Sequence, residues 1–233
     1  MIGMSSTITL LDGLATTRAI RRYTDDPVSD EDLATIFWHA TRAPSGSNRQ
    51  PFRFIVLRDD ERAAAARALL GGAFRSAWAT KRADDGYERG SGVDLTSAKS
   101  RMAATMQHYV DTFERVPVVV IACLRRYRAP GPDEGASIYP ACQNLLLAAR
   151  ALGLGGALTM WHHLVETDLR NVLAIPDDVA LSACITLGRP FGHHGPVRRR
   201  PLSELVFEGV WGESPDWAVD PPEASFTQAG PPR

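Results

Sequence analysis

The longest uninterrupted apolar run in the chain covers residues 118–124, Val-Val-Val-Ile-Ala-Cys-Leu. It is far too short to cross a bilayer. Together with Val116 it predicts a buried strand over 116–124. Phe52-Arg53-Phe54-Ile55-Val56-Leu57 alternates and then turns apolar, which predicts a strand with one well-buried face. Residues 156–160 predict a short strand and residues 179–187 another. The segments between carry helical spacing. Ser29 followed by Asp30, Glu31 and Asp32 offers a cap and first-turn carboxylates that complement the positive helix end. Leu33, Ile36, Phe37 and Ala40 then repeat on one face, and Pro44, Ser45 and Gly46 stop the helix. Further helices are expected over 60–81, 100–113, 137–152 and 166–173. Helices and strands mix without strict alternation, so the fold class is α+β and not a doubly wound parallel sheet.

Composition narrows the function classes. The chain has 233 residues with 26 basic against 27 acidic side chains, a formal charge of -1, which gives no field to draw in nucleic acid or an acidic membrane. Cys123, Cys142 and Cys184 are widely spaced and form no C-x-x-C pair; they read as small buried core residues. The opening MIGMSSTITLLDG has no basic segment before its apolar residues, so no signal peptide and a cytoplasmic location are expected. Residues 81–101 hold nine charged side chains interrupted by Gly86, Gly90 and Gly92, the text of a long mobile loop or lid. After Pro215 the chain is Pro-rich and aperiodic, an extended arm or disordered tail.

Several chemistries lack their motifs. There is no phosphate-binding G-x-x-x-x-G-K-[ST] loop and no G-x-S-x-G elbow. Gly153-Leu154-Gly155-Gly156 fails as a dinucleotide fingerprint, because Leu158 stands where the third glycine belongs and the glycines follow a helix. His162-His163 and His193-His194 are adjacent pairs whose side chains diverge, so no metal site is expected.

Three constellations remain. Thr17-Arg18-Ala19-Ile20-Arg21-Arg22 puts arginines at 18 and 21 within one turn of chain; they suit either a solvated basic turn or a phosphate. Pro44-Ser45-Gly46-Ser47-Asn48-Arg49-Gln50-Pro51 is either a polar connector or a loop that brings main-chain groups close to a flat heteroaromatic ligand. Gly195-Pro196-Val197-Arg198-Arg199-Arg200-Pro201-Leu202 could touch nucleic acid, but it has no basic domain around it, and a small anion or an exposed charged face fits better.

At this spacing the three blocks resemble the FMN-dependent nitroreductase family over about residues 14–206. The family pattern Arg-Arg-Ser-x-Arg stands here as Thr17-Arg18-Ala19-Ile20-Arg21. Pro-Ser-[Ser/Gly]-x-Asn-x-Gln-Pro-Trp runs from Pro44 through Ser45, Gly46, Asn48 and Gln50 to Pro51, with Phe52 in place of Trp. The C-terminal glycine-arginine pattern runs from Gly188 through Gly195 and Arg199 to Leu202. Thr17 and Ala19 depart from the pattern by one arginine and one hydroxyl.

The resemblance implies a central, mostly antiparallel sheet flanked by helices, in an intertwined homodimer. It implies an extension over 1–13, one FMN-binding domain over 14–210 with the 81–101 lid, and a tail over 211–233. FMN would bind non-covalently in a dimer cleft. Arg18 and Arg21 would hold its phosphate, with Arg199 approaching the same end. Ala19, Pro44, Ser45, Gly46 and Asn48 would line ribityl and ring, and Leu158, Thr159 and Met160 the other ring edge. Gln107 is a candidate for the mid-chain contact to the ring. NADH or NADPH would reduce the flavin, which carries the chemistry without a catalytic side chain. A nitroaromatic, quinone or enone would then be reduced in a ping-pong cycle. Family members that dehalogenate, fragment flavin or use a deazaflavin, and a flavin-binding module without turnover, are the alternatives.

Overall fold

The computed structural model describes residues 8–192 and 194–227. His193 and the ends of the expected extension and tail lie outside them. The chain divides into two compact units, Met1–Gly192 and His193–Arg233.

The described part of the first unit holds six helices and four strands: α1 Leu10–Thr16, α2 Asp30–Ala40, β1 Phe52–Leu57, α3 Glu61–Asp84, α4 Ala98–Asp111, β2 Val118–Arg125, α5 Tyr139–Ala151, β3 Gly155–Thr159, α6 Glu166–Leu173 and β4 Val179–Gly188. The sheet order is β1-β2-β4-β3, with every neighbouring pair antiparallel. The fold is α+β, as the mixed pattern predicts.

The apolar run that begins at Val118 is the inner strand β2. Its side chains alternate between two core layers. Val118, Val120, Ala122 and Leu124 pack with Ile36, Leu145 and Ile185. Val119, Ile121 and Cys123 pack with Leu70, Phe74 and Val110 on the other face. Because both faces of β2 are covered, polar alternation is absent from its sequence.

The structure corrects the ends of several elements. α3 runs on to Asp84 and α4 begins at Ala98, so the segment 81–101 is helical at both ends and carries a 3₁₀ turn at Gly90–Gly92 between them. The long loop shrinks for local reasons. The Lys81–Asp85 pair at 2.5 Å supports the end of α3, and the Ser97 hydroxyl caps α4 by accepting from the Ser100 N–H at 3.0 Å. α1, Leu10–Thr16, forms across the expected boundary at residue 13 and is capped by Thr9. Leu10, Leu11 and Leu14 are exposed, so no buried stripe marked it in the sequence.

In the second unit the described chain is irregular, with a 3₁₀ turn at Leu202–Glu204 and further turns such as the one closed by the Ala218 N–H donating to the Pro215 carbonyl at 3.0 Å. Arg199 forms a parallel bridge with Phe226, and the Leu202 N–H donates to the Asp220 carboxylate at 3.0 Å.

Candidate functional site

The N-terminal arm, β3 and α4 build one half of the site. β3 is an edge strand. The arm lies along it through a parallel bridge between Ala19 and Gly156, with the Ile20 N–H donating to the Gly156 carbonyl at 2.9 Å. The close approach of the arm requires glycine at 155, and the packing of β3 on β4 requires it at 156. A Cβ on Gly155 would stand 2.5 Å from Ile20 Cγ1, and one on Gly156 would stand 2.5 Å from the Thr186 carbonyl oxygen. The Gly156 main chain faces outward to the arm, so the strand's alternation directs the Leu158 N–H and C=O to the same open edge.

A buried polar cluster locks the arm. The Tyr23 hydroxyl donates to the Ile20 carbonyl at 2.5 Å and lies 2.8 Å from Thr186 Oγ1, which lies 3.1 Å from the Tyr109 hydroxyl. Burial pushes the Tyr23 phenol well above its ordinary value, while the Thr186 contact and the nearby Arg21 charge pull the other way. Burial also pushes the Tyr109 phenol far up. Both phenols therefore stay neutral beside Arg21.

Arg21, held in this way, lines a cavity of about 410 Å³ with Leu158, Thr159 and Met160. Trp78, Tyr87, Met106 and Trp161 supply much of the remaining wall. Arg21 enters no ion pair among the described residues. Arg18, exposed on the same arm, does not line this cavity.

Pro44, Ser45 and Gly46 line a separate cavity of about 210 Å³. Their loop precedes β1, the opposite edge of the sheet and three strand spacings away, about 14 Å. Ser47, Asn48 and Gln50 adopt left-handed φ values of 51, 52 and 50°, which cost energy in non-glycine residues. Side-chain bonds hold that shape. The Ser45 hydroxyl accepts from the Gln50 N–H at 2.9 Å, and the Gln50 amide donates to Asn48 Oδ1 at 3.2 Å. Asn48 is exposed on the loop and does not line the cavity.

Two of the candidate residues make hydrogen bonds within the chain. Gln107 is committed to structure: its carbonyl oxygen accepts from Trp78 and Arg82, both at 3.0 Å, and its amide donates to Asp111. Arg199 belongs to the second unit, where its guanidinium donates to the Arg198 carbonyl at 2.9 Å. The expected divergence of His162 and His163 is corrected: their ring centroids lie 4.1 Å apart. His162 is buried with Nε2 3.2 Å from the Leu181 carbonyl, and His163 is exposed beside Glu166. Among the described residues no three His, Cys, Asp or Glu side chains are grouped to hold a metal ion.

The model of the nitroreductase family matches residues 14–189. The chain belongs to the nitroreductase family. The match covers both half-sites and stops short of Arg199. Among its relatives, the NADH dehydrogenase of Thermus thermophilus is 31% identical over 87% of this chain and 98% of that protein. The 5,6-dimethylbenzimidazole synthase of Rhodospirillum rubrum is 28% identical over 81% of this chain and 82% of that one. An FMN complex from Desulfovibrio desulfuricans, assigned as a nitroreductase, aligns with a TM-score of 0.64 and 29% identity, covering 88% of this chain and 98% of that one. Within this nitroreductase-family chain, the wall residues Trp78, Met106, Tyr109 and Trp161 went unread in the sequence. Each looks there like an ordinary core residue, and no local motif marks which of them face a cavity.

Proposed function

We propose that this nitroreductase-family chain is an FMN-dependent oxidoreductase that takes electrons from NADH or NADPH and passes them, in a ping-pong cycle, to an electron-poor nitroaromatic, quinone or enone. Bound FMN would supply the redox chemistry itself, so the chain needs no triad or acid–base pair. The observation that carries the reading is the cavity between arm and edge strand. Its walls are aromatic and thioether groups, which suit a flat heteroaromatic ring. Arg21 and the outward main chain of Leu158 stand at the same cavity and would hold the ring's polar edge. Neutral Tyr23 and Tyr109 leave the Arg21 charge available for that edge. Arg18 and Ala19, farther along the arm, would face the ribityl phosphate.

The loop of Pro44, Ser45, Gly46 and Asn48 belongs to the opposite sheet edge, so one chain does not wrap one flavin with both half-sites. The reading therefore assigns each flavin to an arm from one copy and a loop from a second copy, in a homodimer. Tyr87, packed 5.2 Å from the Trp78 ring, would make the 81–101 segment a wall on the acceptor side.

The test is the visible spectrum of the purified protein during anaerobic titration with each nicotinamide. The reading expects a yellow protein that bleaches and is recoloured by a quinone or nitroaromatic. A colourless protein that does not take up FMN overturns it.

A further inference from the structure

A second cavity of the first unit, about 760 Å³, shares Arg21 with the ring cavity, and its other lining residues have no part in the flavin assignment. One wall is the arm over residues 21–25. The other is a stripe of α4 in which Arg101, Ala104, Thr105 and His108 recur at helical spacing. Small Ala104 and Thr105 keep the floor open between the longer side chains.

Four arginines line this groove, at 21, 22, 101 and 115, against one acid, Asp25. Asp25 is already paired with Arg115 at 3.1 Å. Arg21, Arg22 and Arg101 join no ion pair among the described residues, and one guanidinium nitrogen of Arg101 donates to the Thr96 carbonyl. A solvated basic face would ordinarily be convex and interspersed with acids. Here the positive charge is gathered in a concavity, where fields are focused on an anion. Phe191 stands in the same lining with 58% of its surface exposed, an aromatic face left open to a planar group. Arg21 lines both this groove and the ring cavity, so a single elongated ligand can reach from one to the other.

We propose that the groove binds the adenosine-phosphate half of the nicotinamide dinucleotide donor, with Arg22 and Arg101 on its phosphates and Phe191 against its adenine. The inference rests on the oxidoreductase reading and adds the feature that recognises the donor. Guanidinium forks match phosphate oxygens, and stacking on an exposed ring needs no sequence motif.

The test compares donors on FMN-loaded protein. NADH and NADPH carry the adenosine diphosphate half; 1-benzyl-1,4-dihydronicotinamide lacks it. Two variants probe the groove: Arg101→Gln, and Ala104→Glu, which puts a carboxylate on an exposed helical position. Both should raise KM for the dinucleotides at least about tenfold, or about 1.4 kcal/mol, at the low end of a charge-assisted hydrogen bond. The kcat and the KM for the truncated donor should stay within about twofold. Calorimetric titration with 2′,5′-ADP reads the groove without turnover and should show binding that both variants weaken by about the same factor.

Dinucleotide KM and 2′,5′-ADP binding unchanged in both variants would overturn the groove assignment. Equal loss with the truncated donor would do the same, by showing a structural effect. Wild-type protein that binds 2′,5′-ADP in the groove but is reduced by none of the three donors would overturn the oxidoreductase reading and leave the groove as a nucleotide site.

Discussion

The two edges of the sheet carry the two proposed half-sites, and they are built in opposite ways. At the β3 edge the arm is anchored by buried Ile20, bridged to a strand and locked by Tyr23, Thr186 and Tyr109. At the β1 edge the loop is exposed and held in left-handed conformations by short side-chain bonds. One half-site is therefore part of the core, and its shape is coupled to global stability. The other is local, and its shape can change while the fold persists.

The sharpest way to break this contrast is Gly156→Val. Its Cβ meets the Thr186 carbonyl at 2.5 Å, and backbone cannot swing aside as a side chain can. We expect a loss of about 3 kcal/mol, read as a lower urea midpoint, together with loss of FMN. Normal stability would show that the packing of β3 on β4 beneath the arm is not the tight contact described.

Thr186→Val should cost about 2 kcal/mol, because it leaves the buried Tyr109 hydroxyl without its Thr186 partner. Urea unfolding checks the value, and an unchanged midpoint would remove the lock from the account.

The alkaline limb sharpens the same point. Native Tyr23 and Tyr109 keep protons that an unfolded chain gives up near pH 10. Their stabilisation is complete below about pH 10 and is lost as pH rises toward the folded values. Buried Cys123 and Cys142, pushed up to about 11 and about 12, begin the decline earlier, from the ordinary thiol value near 8.5. Absorbance at the tyrosinate band should show two of the five tyrosines titrating only as the protein unfolds. Free titration of all five in folded protein would contradict the burial.

The smallest stability effects belong to the loop. Ser45→Ala should cost under about 1 kcal/mol yet release FMN more readily. Asn48→Gly should change stability by less than about 0.5 kcal/mol, because relief of its positive φ is offset by loss of the Gln50–Asn48 bond and by glycine's backbone entropy. Thermal melting beside flavin retention separates the two quantities. A large drop in melting temperature for either variant would make this edge as deeply coupled as the other.

The contrast also explains what the sequence made legible. The loop is a local object: Pro44, Ser45, Gly46, Asn48 and Gln50 lie within a few residues, and a motif records them. The buried run of β2 and the capped helix at Ser29 are equally local, and so the α+β class could be read. The arm half-site is assembled at long range. Tyr23 meets Thr186, and Trp78, Met106 and Trp161 meet Arg21, only after the sheet and α4 are in place. Gln107 shows the converse: a residue in the right stretch of chain whose amide is used up by Trp78, Arg82 and Asp111.

The central claim, that each flavin is held by the arm of one copy and the loop of another, is tested by mixing two defective chains. Arg21→Glu disables the arm and Gly46→Asp disables the loop, and each homodimer should retain almost no FMN. A mixed dimer purified through two different tags should recover one intact site, about one FMN per two chains. No recovery in the mixed dimer, with both homodimers folded and empty, would contradict the shared site.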